Sequence, residues 1–385
     1  MFAQRMSSIT PFLVMEILER AKAMEHAGEH IVHLEVGEPD FDTPACIRDA
    51  AKLALDQGYT HYTHSLGDLD LREEVSAYFQ RRYGVGIAPG RVLIFSGTSP
   101  AMLLLFSCLA EPGDEVILSN PGYACYGNFV RFAGGLPREV PTEEEDGFQY
   151  RPEHVARQIG KRTKAILINS PCNPTGILLE PERMQRMADV GTLIVSDEIY
   201  HGLTYDNAPE HSILEYTDNA VVVGGFSKVY AMTGWRLGYL IVPERMVRPL
   251  QTAMQNFFIS PNAAVQRAGI TALRQAGKEA ERMRAIYDGR RKILLTGLRQ
   301  LGFKIPVEPK GAFYMLVNAR HLDRDSRKLA FDILEKAGVG IAPGIDFGSR
   351  AEGFLRFSYA NSSENIQEAL HRLKRYIETR ESGVL

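Results

Sequence analysis

A lysine that leaves a buried strand through a glycine pair is the residue in this chain best placed for covalent chemistry. Lys228 follows the apolar run 220–224 in the sequence Gly224-Gly225-Phe226-Ser227-Lys228. Desolvation there, or a neighbouring cation such as Arg236, lowers an ammonium's pKa and makes it a nucleophile toward carbonyls. Asp197 ends a second apolar run, 193–196. A carboxylate buried at that point needs a partner; it acts as an N-cap, as half of an ion pair, or as an anion that holds positive charge on a ligand. Gly97-Thr98-Ser99-Pro100 follows a third run, 92–96. Ser99 reads as an N-cap and Pro100 as the first helical residue. Gly97 and Thr98 then leave N–H groups at the positive end of a helix, which suits an anion. Ser170-Pro171-Cys172-Asn173-Pro174-Thr175-Gly176 follows a fourth run, 165–169. Taken singly, these are a solvated lysine, an ordinary cap and a plain turn; their shared position after strands sets them apart.

The elements that would position these residues form a repeating pattern. Strand candidates at 92–96, 115–119, 165–169, 193–196, 220–224 and 237–242 are short and rich in Val, Ile or Leu. Continuous apolar runs suit strands covered on both faces. Between them lie amphipathic stretches such as Leu69–Tyr83, closed by Gly84, and 182–190. The order predicts an α/β domain with a mainly parallel, mixed central sheet flanked by helices. In such sheets ligands bind beyond the carboxyl ends of the strands, so the four polar strand ends are expected on one edge. Further on, a helix at 280–301, strands at 312–317 and 354–358, and helices at 326–336 and 363–379 suit a smaller α+β domain. The expected division is 46–280 for the large domain, with 1–45 and 281–385 forming the small one.

Composition narrows the function classes. The chain has 385 residues, 45% hydrophobic and 24% charged, with a formal net charge of -3. Acids and bases are mixed along it, which argues against a nucleic-acid face. No apolar run is long enough to span a bilayer, and the N-terminal residues lack a signal-peptide core; a cytoplasmic protein without a membrane partner is expected. Cys46, Cys108, Cys125 and Cys172 form no CxxC pair and no metal-ligand spacing with His. Free thiols and no metal site are the plain reading, with Cys172 alone inside a motif of interest. Nicotinamide, P-loop, α/β-hydrolase and zincin fingerprints are missing.

Asn173-Pro174-x-Gly176, Asp197-x-x-Tyr200, Ser227-Lys228 and Arg236 occur in that order. The set closely resembles the class I/II aminotransferases of the fold-type-I pyridoxal-phosphate enzymes, most of all their bacterial aspartate-aminotransferase-like branch. The likeness extends to Val36-Gly37-Glu38-Pro39-Asp40-Phe41 near the start, and to Gly311-Ala312-Phe313-Tyr314 and Leu355-Arg356-Phe357-Ser358-Tyr359-Ala360 near the end.

The resemblance implies a role for each matching residue. Lys228 would hold pyridoxal 5'-phosphate as a Schiff base and later carry the proton. Asp197 would keep the pyridine nitrogen protonated, and Asn173 and Tyr200 would bond the ring's phenolic oxygen. Thr98, Ser99, Ser227 and Arg236 would take the phosphate, with Tyr62 reaching the phosphate of a neighbouring subunit in a homodimer. Tyr123 would stack on the ring. Arg356 would grip the substrate α-carboxylate, a bidentate task suited to arginine, with Asn173 and the Gly37 backbone beside it. The reaction implied is transfer of the α-amino group of an L-amino acid to a 2-keto acid by a ping-pong mechanism. The same constellation also serves carbon–sulfur β/γ-lyases, and a non-catalytic regulator is a further alternative.

Two departures from the family pattern stand out. The phosphate loop has Ser99-Pro100 where relatives often carry lysine or glutamine. Tyr123 replaces the tryptophan common in close aspartate-type relatives, which argues against strict aspartate specificity. Arg131, Arg138 and Arg350 are the candidates for gripping a distal carboxylate.

Overall fold

The computed structural model describes residues 2–382. A two-residue strand, β1 (Val32–His33), precedes the main sheet. The sheet's strands are β2 (Val92–Phe95), β3 (Glu115–Asn120), β4 (Leu136–Pro141), β5 (Thr163–Asn169), β6 (Ile194–Asp197), β7 (Ala220–Gly225) and β8 (Gly238–Ile241). Their spatial order is β2-β8-β7-β6-β5-β3-β4. All pairings are parallel except those of β8, which runs antiparallel to both neighbours.

Every residue of β2, β6 and β8 is buried, as in strands covered on both faces, including the polar Ser196 and Asp197 that close β6. β4 departs from the sequence reading, which has no strand there. Its sequence LPREVP buries one residue only, because it lies at the sheet's edge, where proline and charge are tolerated and discourage further pairing.

The register places the strand ends. Asn169 pairs with Asp197, and Asp197 with Val223. Phe95 faces Gly238, which faces Gly225. The carboxyl ends of β2, β5, β6 and β7 therefore share one edge, as expected. The helix Leu69–Tyr83 has the Asp68 carboxylate as its N-cap and Gly84 at φ 70° as its C-cap.

The C-terminal third is α+β. β9 (Tyr314–Asn318), β10 (Val339–Gly340), β11 (Ala342–Pro343) and β12 (Phe354–Ser358) follow the long helix Gly277–Gln300, which starts three residues before its expected position. β11, β12 and β9 form an antiparallel sheet, and β10 pairs in parallel with β1. Helices Ser326–Ala337 and Ser363–Glu381 begin at the predicted residue, each with a side chain accepting from a first-turn N–H: Asp325 from Lys328 and Ser362 from Asn365. Leu294, Leu298, Leu329, Ile333, Phe357 and Leu373 belong to one buried cluster that unites these elements.

Candidate active site

A cleft of about 320 Å³ opens at the shared edge of β2, β5, β6 and β7. Gly37, Thr98, Ser99, Tyr123, Asn173, Asp197, Tyr200, Ser227, Lys228, Arg236 and Arg356 all line it. Of the residues the resemblance assigns to the cofactor and the α-carboxylate, only Tyr62 lies elsewhere; it stands 80% exposed.

Asp197 ends β6 with its carboxylate buried. Burial pushes its pKa up to about 6, against the O–H of Tyr126, donated to Oδ2 at 2.7 Å, and the N–H of Ile199, donated to Oδ1 at 3.1 Å. Nearby Asn169 ties two turns together: its Nδ2 donates to the Asp197 carbonyl (2.9 Å) and its Oδ1 accepts the Asn173 N–H (2.8 Å).

Lys228 donates from Nζ to the Gly37 carbonyl at 2.6 Å. Its Nζ lies 6.0 Å and 5.8 Å from the ring centroids of Tyr200 and Phe313. Desolvation lowers the ammonium to about 8; Glu38 and Asp197 oppose the fall, and Arg356 and Arg236 add to it. That value suits an amine that must gain and lose a proton near neutrality.

One end of the cleft is cationic around a helix start. The helix Thr98–Leu109 begins earlier than predicted: Gly97, at φ 99°, is its N-cap, and Ser99 and Pro100 lie in its first turn. The left-handed glycine turns the chain sharply out of β2, so the helix starts without a side-chain cap. Its first-turn N–H groups have no intrahelical partners, and the proline there forgoes one of them. The Arg236 guanidinium packs over this turn so closely that a Cβ on Gly97 would lie 2.5 Å from Nη2. Arg236 also donates to the Thr233 carbonyl (2.8 Å).

At the other end Arg356 is buried between the rings of Tyr314 and Phe347, with centroids 4.4 and 4.7 Å away. It donates to Asn173 Oδ1 (3.0 Å) and to the Glu35 carbonyl, while its buried Nε–H has no partner among the described residues. Tyr314 meets Tyr200 hydroxyl to hydroxyl at 2.9 Å. A Cβ on Gly37 would fall 1.9 Å from Tyr314 Oη, so the backbone can approach only as glycine.

Sequence reasoning missed Tyr126, Asn169, Glu38 and Thr233 as lining residues. Tyr126 follows Tyr123 by three positions, a spacing that places both rings near one another. The three candidate arginines for a distal carboxylate lie outside the cleft. Arg138 bonds Gln158 and Glu115, Arg350 pairs with Glu143, and Arg131 lines an adjoining cavity beyond Tyr123. Cys172 is not among the lining residues either, and burial raises its thiol.

The donors fit a dianionic group at Gly97–Ser99 and Arg236, a ring cation against Asp197, and an aldehyde at Lys228. Asp197 carries the most direct sign of fit, because its charge is held in a buried site against the cost of desolvation and a cationic partner would relieve it.

The seven-stranded mixed sheet, with these residues at its carboxyl edge, defines the fold-type-I architecture of the pyridoxal-phosphate-dependent transferases. The model of the family "Aminotransferase class I and II" matches residues 29–373. The aspartate aminotransferase of Pyrococcus horikoshii is 38% identical over 98% of this chain and 97% of its own. The (5-formylfuran-3-yl)methyl phosphate transaminase of Methanocaldococcus jannaschii is 37% identical over 98% and 100%. The solved structure of Thermus thermophilus aspartate aminotransferase with maleate superposes with a TM-score of 0.93 at 37% identity, covering 97% of this chain and 99% of that one. The chain belongs to the class I and II aminotransferases and is a pyridoxal-phosphate-dependent transaminase. Among the described residues no helix is long and apolar enough to cross a membrane, and no cluster of side chains could hold a metal ion.

Proposed function

We propose that this transaminase moves the α-amino group of an L-amino acid to a 2-keto acid by a ping-pong mechanism at Lys228. The observation that carries the proposal is the placing of Lys228 and Asp197 in one cleft, between a cationic helix start and a buried arginine. Pyridoxal phosphate, when bound, supplies an electron sink for negative charge at the substrate α-carbon.

In this reading each residue's task follows from its surroundings. Thr98, Ser99, Ser227 and Arg236 hold the phosphate with the first-turn N–H groups. Asp197, steadied by Tyr126, holds a proton on the ring nitrogen. Asn173 and Tyr200 face the phenolic oxygen, and Tyr123 covers the ring. Arg356 presents its unpaired Nε–H to the substrate carboxylate, beside Asn173 and the Gly37 backbone. Lys228 would hold the cofactor's aldehyde carbon and, as a free amine, would carry the proton to and from the substrate α-carbon. The proposal includes a homodimer in which exposed Tyr62 reaches the partner's phosphate. It also takes 46–280 as the cofactor-binding domain, and 1–45 with 281–385 as the small domain.

The test is a half-reaction. Cofactor-loaded enzyme mixed with an L-amino acid should release up to one equivalent of keto acid per site and no ammonia. Steady-state plots against both substrates should give parallel lines. Continuous release of ammonia with a keto acid would point instead to lyase chemistry and would overturn the assignment.

A further inference from the structure

We infer that His201, which lies outside the cleft, is a positioning residue for the reaction. Its ring ties the loop that carries Asn173 to the turn that carries Asp197 and Tyr200, and so holds the Asn173–Arg356 pair ready for the substrate α-carboxylate. The inference rests on the transaminase reading above.

His201 is buried and does not line the cleft. It borders a separate cavity of about 20 Å³, with Tyr83, Glu198, Tyr230 and Tyr239. That space holds about one water and no substrate. The turn after β6 therefore divides its side chains between two sites. Asp197 and Tyr200 face the cleft, while Glu198 and His201 face the second cavity.

Both ring nitrogens of His201 are engaged. Nε2 stands 3.0 Å from the Ser170 carbonyl oxygen. A carbonyl only accepts, so Nε2 carries the hydrogen of this bond. Nδ1 meets Tyr83 Oη at 2.6 Å. Tyr83 closes the helix Leu69–Tyr83, and its ring packs against the imidazole with centroids 5.6 Å apart. Its hydroxyl also lies 3.0 Å from Glu210 Oε1. Glu210 is fixed in turn by the Gly202 N–H (2.7 Å) and the Arg82 guanidinium (2.7 Å). Glu198 Oε2, which accepts no hydrogen bond among the described residues, lies 3.5 Å from Nδ1. Turning the ring would strand several buried polar groups at once, each at the cost of its lost hydration. The imidazole is thus held rigidly from the Tyr83 side and acts on Ser170 from the other.

Ser170 begins the segment that leaves β5 for Asn173. Its N–H donates to the Asp197 carbonyl at 3.3 Å. Pro171 and Pro174 give the segment no N–H groups, so few bonds can fix it. Asn169, which lines the cleft, accepts the Asn173 N–H at 2.8 Å. His201 supplies a second anchor from outside the cleft. Asn173 Oδ1 then accepts from Arg356 at 3.0 Å. A chain of contacts from Tyr83 through His201, Ser170 and Asn173 ends on the arginine assigned to the substrate carboxylate.

Loss of the Nε2 donor should loosen Asn173 and Arg356 together. The phosphate end of the cleft should be untouched, since Arg236 is tied to Thr233 instead. Weaker binding of the α-carboxylate before and during reaction raises KM and leaves kcat little changed. A residue that only supported the fold would lower the amount of active enzyme and leave KM as it was.

The test compares wild type, His201→Gln, His201→Phe and Tyr83→Phe as cofactor-loaded enzymes. Alanine, leucine, phenylalanine, aspartate and glutamate are tried as donors with pyruvate and with 2-oxoglutarate, and the best wild-type pair is used throughout. Phenylalanine keeps a ring without a donor, whereas glutamine keeps an N–H at the reach of Nε2. His201→Phe should raise the donor KM by about 10- to 100-fold. His201→Gln should restore most of that loss. Equilibrium dialysis of pyridoxal phosphate, which needs no turnover, should give the wild-type affinity for all variants. Thermal unfolding checks that each is folded. If His201→Phe is not, Tyr83→Phe carries the test, because it frees Nδ1 and should raise the donor KM by about threefold or more. An unchanged donor KM in the folded variant used would overturn the inference and leave the transaminase reading intact. His201→Gln no better than a folded His201→Phe would overturn it as well. Failure of wild type to yield a keto acid from any donor would overturn both.

Discussion

Replacing Tyr126 with phenylalanine isolates one hydrogen bond in the cleft. The Tyr126 O–H donates to Asp197 Oδ2 at 2.7 Å inside a buried site. A hydrogen bond to a charged group is worth about 1.5–3 kcal/mol, and one pKa unit corresponds to about 1.4 kcal/mol. Losing this bond should raise Asp197 by about 1–2 units from its value of about 6. The sign is fixed by linkage. A carboxyl whose folded pKa lies above its unfolded value costs the cofactor-free protein stability as pH climbs from about 4 to 6, and Tyr126→Phe extends that loss to higher pH. Cofactor binding should move with it, because only the ionised carboxylate holds a cation. Titrating pyridoxal phosphate into wild type and Tyr126→Phe between pH 5 and 9, followed by absorbance, should show the acid limb displaced upward by about 1–2 units. Affinity should return toward the wild-type value at the alkaline end. Superimposable limbs in two folded proteins would refute the argument that Tyr126 steadies the Asp197 charge.

Other perturbations probe separate parts of the structure. Lys228→Ala should still bind the cofactor through the phosphate and ring contacts. Borohydride should fix the cofactor covalently to wild type and not to the variant, and kcat should fall by a factor on the order of 10⁴. Gly97→Ala adds a methyl that would lie 2.5 Å from Arg236 Nη2, at a φ of 99° that alanine rarely adopts; strain of about 1–3 kcal/mol should weaken cofactor binding roughly 10- to 100-fold, as equilibrium dialysis would measure. His33 sits between two carboxylates, with Nδ1 2.6 Å from Glu35 and Nε2 3.1 Å from Glu25. The hydrogen bond to Glu35 holds its pKa above the ordinary histidine range, against burial. That stabilisation is complete below the unfolded pKa of about 6.5 and is lost as pH rises through the folded value. Wild-type Tm should therefore decline by a few degrees across that interval, and His33→Gln should flatten the decline.

Much of the site was legible because its residues sit at the ends of apolar runs. A strand covered on both faces advertises itself as uninterrupted Val, Ile and Leu, so the polar residues closing β5, β6 and β7 were conspicuous. β4 was not, since an edge strand buries too little to leave a pattern. The start of the helix Thr98–Leu109 was misplaced because Ser-Pro is a strong local signal and the left-handed turn at Gly97 overrode it. Tyr126 was missed because its partner lies 71 residues away, a contact that only the folded chain creates. The sequence offers Arg131, Arg138 and Arg350 alike, because it does not show their partners. Arg138 and Arg350 had acids waiting nearby in space, and those pairings draw them away from the cleft.

The order in which this chain leaves the ribosome has a bearing on when it can act. β1, at Val32–His33, pairs with Val339–Gly340, and Arg356 closes the cleft by reaching the Glu35 carbonyl and Asn173. Every strand of the main sheet is complete by Ile241, so that layer can assemble while more than a hundred residues are still to be made. The Arg356 end of the cleft has no such head start. A chain stalled before residue 356 would own the lysine, the aspartate and the phosphate cradle yet lack the residue expected to hold a substrate in place. Lys228 is thus made well before Arg356, the residue proposed to present an amino acid to it.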